Sequence, residues 1–133
     1  MISVSTNPIH LNLSPNDFEI FFSDIEKLRP LFNGKKLVPL QGTSSQIEFL
    51  LKRVAVFSLE IDKEREDHYL QLKNTKRMAF QTVMRFEYLP NSKSMAIHFE
   101  TDTNIFMELF LEKRIKNLVE QVVLNLQKQF NIK

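Results

Sequence analysis

The 133-residue chain contains no cysteine, no tryptophan and only two glycines, Gly34 and Gly42. Without cysteine there is no disulfide, no thiolate nucleophile and no Cys-based zinc site, so the chain suits a reducing compartment. Two isolated glycines cannot build the Gly-rich loops that cradle nucleotide phosphates. Histidine is scarce as well. His10, His68 and His98 are far apart and no HExxH spacing occurs, so zinc chemistry has no motif to rest on. A large charge of one sign is also missing: 18 Lys plus Arg stand against 16 Asp plus Glu, a formal +2. That is too little to indicate nucleic acid or an anionic membrane. No apolar run reaches membrane-spanning length, and the opening MISVSTNPIH lacks the basic region and apolar core of a secretory signal. A soluble cytoplasmic protein is expected, with no cofactor, no metal, no nucleic-acid partner and no membrane insertion.

Phenylalanine is what the chain has in quantity. Twelve copies imply an interior dominated by rings that carry no polar tip. The length allows one hydrophobic core, so residues 1–133 are expected to form a single domain. ISVSTNPIHLN (2–12) reads as extended, with Pro8 marking an edge strand or bulge. In SPND (14–17), Ser14 suits an N-cap, Pro15 the first helical position and Asp17 the third, which predicts a short helix through DFEIFF. Ser23 and Glu26 repeat the pattern and predict a second short helix, with Pro30 near its end and Asn33-Gly34 as left-handed stop residues.

Beyond residue 37 the period becomes two. VPLQG (38–42) reads as a short strand. Phe49 and Leu51 alternate with Glu48 and Leu50, and Phe57, Leu59 and Ile61 with Ser58, Glu60 and Asp62. EREDH (64–68) reads as a turn, Leu70 and Leu72 resume the alternation, and NTKR (74–77) is another turn. Phe80, Thr82, Met84, Phe86 and Tyr88 form one strand face, LPNSK (89–93) a hairpin connection, and Met95, Ile97, Phe99 and Thr101 mark the last strand. Short turns between successive strands imply an antiparallel meander. The final segment then switches period again. Leu111, Ile115, Leu118, Val119, Val122 and Leu126 fall on one helical stripe. A stripe that long needs a long apolar surface, and the concave side of a curved meander supplies one. The fold class is α+β: a helix-grip of six or seven antiparallel strands curved around a long C-terminal helix, with two short helices after the first strand.

PNDFEIFFSDIEKLRPLF (15–32), EFLLKRVAVFSLEI (48–61) and HFETDTNIFMELFLEKRIKNLVEQVVLNL (98–126) resemble the START, birch-pollen-allergen and polyketide-cyclase superfamily (SRPBCC). The last segment is most similar to small bacterial members. The resemblance spans nearly the whole chain but rests on packing patterns, so it specifies fold better than function. It implies a deep cavity between sheet and helix that holds a lipid, sterol-like, polyketide-like or other apolar molecule. Two positions depart from the pattern. Arg114 stands where the small bacterial members usually carry a proline, which permits a continuous helix here. Arg53 stands where a glycine would ease a tight turn between strands.

The inward alternation nominates Phe49, Leu51, Phe57, Leu59, Leu70, Leu72, Thr82, Met84, Phe86, Tyr88, Ile97, Phe99, Leu111 and Ile115 as cavity lining. Among these, Thr82 and Tyr88, with Thr101, are the polar groups able to orient a ligand. Ile105, Phe106, Met107, Leu109, Phe110 and Leu111 wrap apolar residues around the whole first part of the last helix. Phe106, Leu109 and Phe110 therefore form either a cavity lip or an interface, unless preceding loops or the second short helix cover them. The acidic set Glu60, Asp62, Glu64, Glu66 and Asp67 and the basic set Lys73, Lys76 and Arg77 read as solvated turns. The leading functional expectation is non-catalytic binding of a small hydrophobic ligand. One alternative is a protein-interaction module with a filled core, dimerising through the Phe106–Phe110 surface. The other is a cyclase-like or hydrolase-like enzyme with His68 or Tyr88 as acid or base.

Overall fold

The computed structural model describes residues 1–41, 45–62, 68–76, 78 and 80–130. The strands are β1 (Ile2–Ser5), β2 (Ile9–His10), β3 (Leu37–Leu40), β4 (Gln46–Leu51), β5 (Ala55–Ile61), β6 (Tyr69–Asn74), β7 (Thr82–Leu89) and β8 (Ser94–Thr101). The helices are α1 (Pro15–Phe22), α2 (Ile25–Leu28) and α3 (Ile105–Gln129), with a 3-10 turn at Arg29–Leu31. Among the described residues these strands form one antiparallel sheet in the order β1-β8-β7-β6-β5-β4-β3, with β2 also paired to β8. The sheet curls around α3, giving the α+β helix-grip arrangement. The first and last strands are neighbours: Ile2 pairs with Thr101 and Ser5 with His98. β3, carrying Pro39, is the opposite edge, where proline hinders pairing with a further strand.

Local chemistry explains the elements. At α1, the Asp17 N–H donates to Ser14 Oγ at 3.0 Å and the Ser14 N–H to Asp17 Oδ2 at 3.2 Å, a complete capping box. The cap of α2 is Asp24, whose carboxylate accepts the Glu26 N–H at 3.0 Å, and not Ser23. The Ser23 hydroxyl instead turns back to the Glu19 carbonyl at 2.5 Å, at the end of α1. Ser23 still has the helical backbone of the α1 C-cap, whereas Asp24 has the extended backbone that an N-cap requires. Nor do Asn33 and Gly34 adopt a left-handed stop: among the described residues positive φ occurs at Arg53, His68 and Lys93 and at no glycine. Gly34 serves close approach: a Cβ there would sit 2.5 Å from the Gln121 side chain. Asn125, one turn further along α3, donates to the Leu31 and Asn33 carbonyls at 2.7 and 2.8 Å, which fastens the helix to that segment. The first extended segment is divided by Pro8 into β1 and β2, and Phe80 precedes β7 as a half-buried ring rather than belonging to it.

The core lies between the concave sheet face and α3. Leu111, Ile115, Leu118, Val119, Val122 and Leu126 are all buried, matching the predicted stripe. The outer sheet face is polar. There Arg85 pairs with Glu100 at 3.1 Å and donates to Gln71 at 3.0 Å, and Gln71 donates to Asp62 at 3.0 Å. Glu64, Glu66, Asp67, Arg77 and Gly42 lie outside the described residues. Among the described residues no helix is long and apolar enough to cross a membrane.

Candidate functional site

The structure brings the nominated lining residues together and leaves none of them more than 2 % exposed. They meet ring against ring. Phe49 stacks on Phe57 with centroids 5.3 Å apart and planes 2° apart, and Phe32 stacks on Phe49 at 5.0 Å. Phe99 reaches Phe57 at 6.2 Å, and Phe22 reaches Phe86 at 5.3 Å. Phe18, Phe21 and Phe22 of α1 also enter this core. The alternation of the strands does not reveal them, although their i, i+3, i+4 spacing marks one helix face. Each buried ring contributes about 1.5–3 kcal/mol of apolar burial, and each favourable ring pair about 0.5–1.5 kcal/mol more.

The polar atoms within this set are engaged with one another or with backbone. Thr82 and Thr101 share a hydrogen bond at 3.0 Å. The Tyr88 hydroxyl donates to the Leu13 carbonyl, and its ring stacks on Phe18 at 5.4 Å. Burial first, and the Asp17 carboxylate second, push the Tyr88 phenol above its ordinary value, so it stays protonated and poorly suited to act as a base near neutral pH. His68 is half-buried, with its ring edge-on to Tyr88 at 5.9 Å, and its buried Nδ1 has no hydrogen-bond partner among the described residues. His68 and Tyr88 touch as rings, not through a proton-transfer contact. On the outer face His98 Nδ1 lies 2.8 Å from Ser5 Oγ, and His10 is exposed.

The outward part of the apolar ring at the start of α3 is open. Phe106 is 84 %, Leu109 89 % and Phe110 49 % exposed, so neither α2 nor the preceding loops cover them. Beside them runs a groove of about 630 Å³ lined by Lys36, Lys52, Arg53, Leu109, Phe110, Lys113, Arg114 and Asn117. Three separate segments build it. The Lys52 N–H donates to the Lys36 carbonyl at 2.9 Å, holding those two lysines side by side. The Val54 N–H donates to the Leu51 carbonyl at 2.9 Å and closes the β4–β5 turn, where Arg53 has φ 68°. Glycine holds such a backbone more cheaply than arginine. Because no proline interrupts α3, Arg114 stands one turn from Phe110 and places its guanidinium over the ring, 4.6 Å from the centroid. Sequence reasoning singled out Leu109, Phe110, Arg53 and Arg114, each for its own reason, but not the lysines or their convergence.

No family model matches the chain, and no curated protein matches it. Solved structures do. Protein CV1439 from Chromobacterium violaceum superposes with a TM-score of 0.68 over 100 % of both chains at 12 % identity. The KanY protein solved by NMR gives 0.64 over 98 % of this chain and 96 % of its own at 14 % identity. The Aha1 dimer from Colwellia psychrerythraea gives 0.50 over 95 % and 96 % at 12 % identity. The fold is shared. At these identities the likeness extends to architecture alone.

Proposed function

We propose that the protein is a non-catalytic binding module of the SRPBCC type that meets its ligand on the outside of α3, at Phe106, Leu109, Phe110 and the adjoining groove. The helix-grip architecture is consistent with a ligand-binding domain. The observation that carries the exterior reading is the contrast in exposure: the expected lining is closed, with its hydroxyls already hydrogen-bonded, while Phe106 and Leu109 stand almost fully in solvent. Apolar patches of this kind commonly mark contact sites. Self-association through the same surface belongs to this reading, and one protein of the fold is described as a dimer.

A second reading places a small apolar ligand between sheet and helix. It is supported by His68 Nδ1, a buried polar atom next to Tyr88 with no partner among the described residues, and it requires stacked rings to part. Native mass spectrometry of gently purified protein, followed by extraction of anything retained, separates the two. Under the exterior reading a retained adduct or dimer is lost on Phe110→Asp and kept on Phe86→Ala. The opposite pattern would replace it with the interior one.

A further inference from the structure

We infer that the groove beside α3 binds a single amphiphilic anion, a phosphate or carboxylate head carrying an apolar chain; this rests on the exterior reading above and names the chemistry of its ligand. Five cations line the groove, Lys36, Lys52, Arg53, Lys113 and Arg114, and among the described residues no carboxylate does. Among the described residues none of the five enters an ion pair. Like charges gathered in this way repel one another, and an anion set among them relieves the repulsion while gaining charge-assisted hydrogen bonds. Lysine and arginine together offer donors to a head group from both walls, the β4–β5 turn on one side and α3 on the other. Leu109 and Phe110 share the same hollow, so an apolar chain leaving the head has a surface to lie on.

The size and the flanks choose among anionic partners. About 630 Å³ falls within the range of small-molecule sites, roughly 300–1,000 Å³. The basic surface is also narrow. Beyond the Leu109 ridge the next hollow is bordered by Glu108 and Glu112, with the N-terminal amine held by Glu108. On the other side Glu120 borders the hollow that contains Lys35 and Lys36. A nucleic-acid strand or a flat anionic bilayer laid across α3 would meet those carboxylates, whereas a single head group confined to the groove would not.

Dodecyl phosphate below its micelle-forming concentration is the probe, followed by backbone amide NMR and titration calorimetry. Inorganic phosphate serves as the head alone and dodecyl maltoside as an uncharged amphiphile. The expected result is one molecule per chain, amide shifts centred on residues 36, 52, 53, 110 and 114, and affinity that falls as salt is raised. The pair Arg53→Gly with Lys113→Gln should weaken binding by about tenfold or more. Glycine is at ease at φ 68°, so this variant should keep the wild-type melting temperature, which separates lost binding from lost fold. Absence of shifts, or equal binding of dodecyl maltoside, would overturn the inference. Shifts centred on Phe86 and Phe99 would overturn both it and the exterior reading. Binding only to vesicles containing phosphatidylglycerol, or self-association with shifts confined to residues 106–110, would overturn the anion site and leave the exterior reading standing.

Discussion

The two sides of α3 follow different rules. Its inner stripe, Leu111, Ile115, Leu118, Val119, Val122 and Leu126, is closed in among phenylalanines. Its outer first turns expose Phe106 and Leu109 and border five cations that form no ion pair among the described residues. The inner side is locally consistent: apolar residues are buried and the hydroxyls among them are bonded. Next to the outer side, Arg53 occupies a left-handed backbone position better suited to glycine, large apolar groups face water, and like charges crowd. Such local costs concentrate where a surface is shaped for something other than stability.

That contrast can be broken from the inside first. Phe86→Ala removes a ring with no exposed surface and should cost about 3–5 kcal/mol of unfolding free energy in a urea titration, while leaving binding at the groove intact. A loss below 1 kcal/mol would mean that the interior is not packed as described. A smaller effect is expected from Tyr88→Phe, which leaves the Leu13 carbonyl without its donor and should cost about 1–3 kcal/mol. It carries a pH signature. Because the folded-state phenol value is raised, its stabilising contribution is complete below about pH 10, where the unfolded phenol begins to ionise. It is then lost as pH climbs through the higher folded value. The Phe variant should therefore show a shallower alkaline loss of stability than the wild type. The smallest change should come from the outer side: Phe106→Ser with Leu109→Ser alters stability by no more than about 0.5 kcal/mol. If that pair instead destabilises the fold, the patch is structural and the contrast fails.

Much of this architecture was legible because it depends on local period. The alternation from Phe49 to Thr101 and the stripe from Leu111 to Leu126 each encode which face is buried, and the capping box at Ser14 is written in four residues. Competition between neighbours was less legible: Asp24 displaced Ser23 as a cap, and Gly34 lies close against Gln121 without the left-handed backbone of a helix stop. Least legible was the groove. Lys36, Lys52–Arg53 and Lys113–Arg114 come from distant segments, and the balancing carboxylates lie elsewhere, so a net charge of +2 concealed a site of one sign. Sequence spacing cannot report such a site, because only the fold brings those segments side by side.

The pairing of β1 with β8 also sets an order in time. β3 to β8 each find a partner in the adjacent strand, across short connections that form early. Ile2–Ser5 has no partner until residues 98–101 have been made, far along the chain. During synthesis, which delivers the N-terminus first, the first strand to emerge is therefore among the last to join the sheet. Until α3 follows β8, the face built from Phe49, Phe57, Phe86 and Phe99 is covered only in part, by Phe22 and Phe32. A nascent chain paused at that point would display its future interior as a hydrophobic surface for a chaperone to hold.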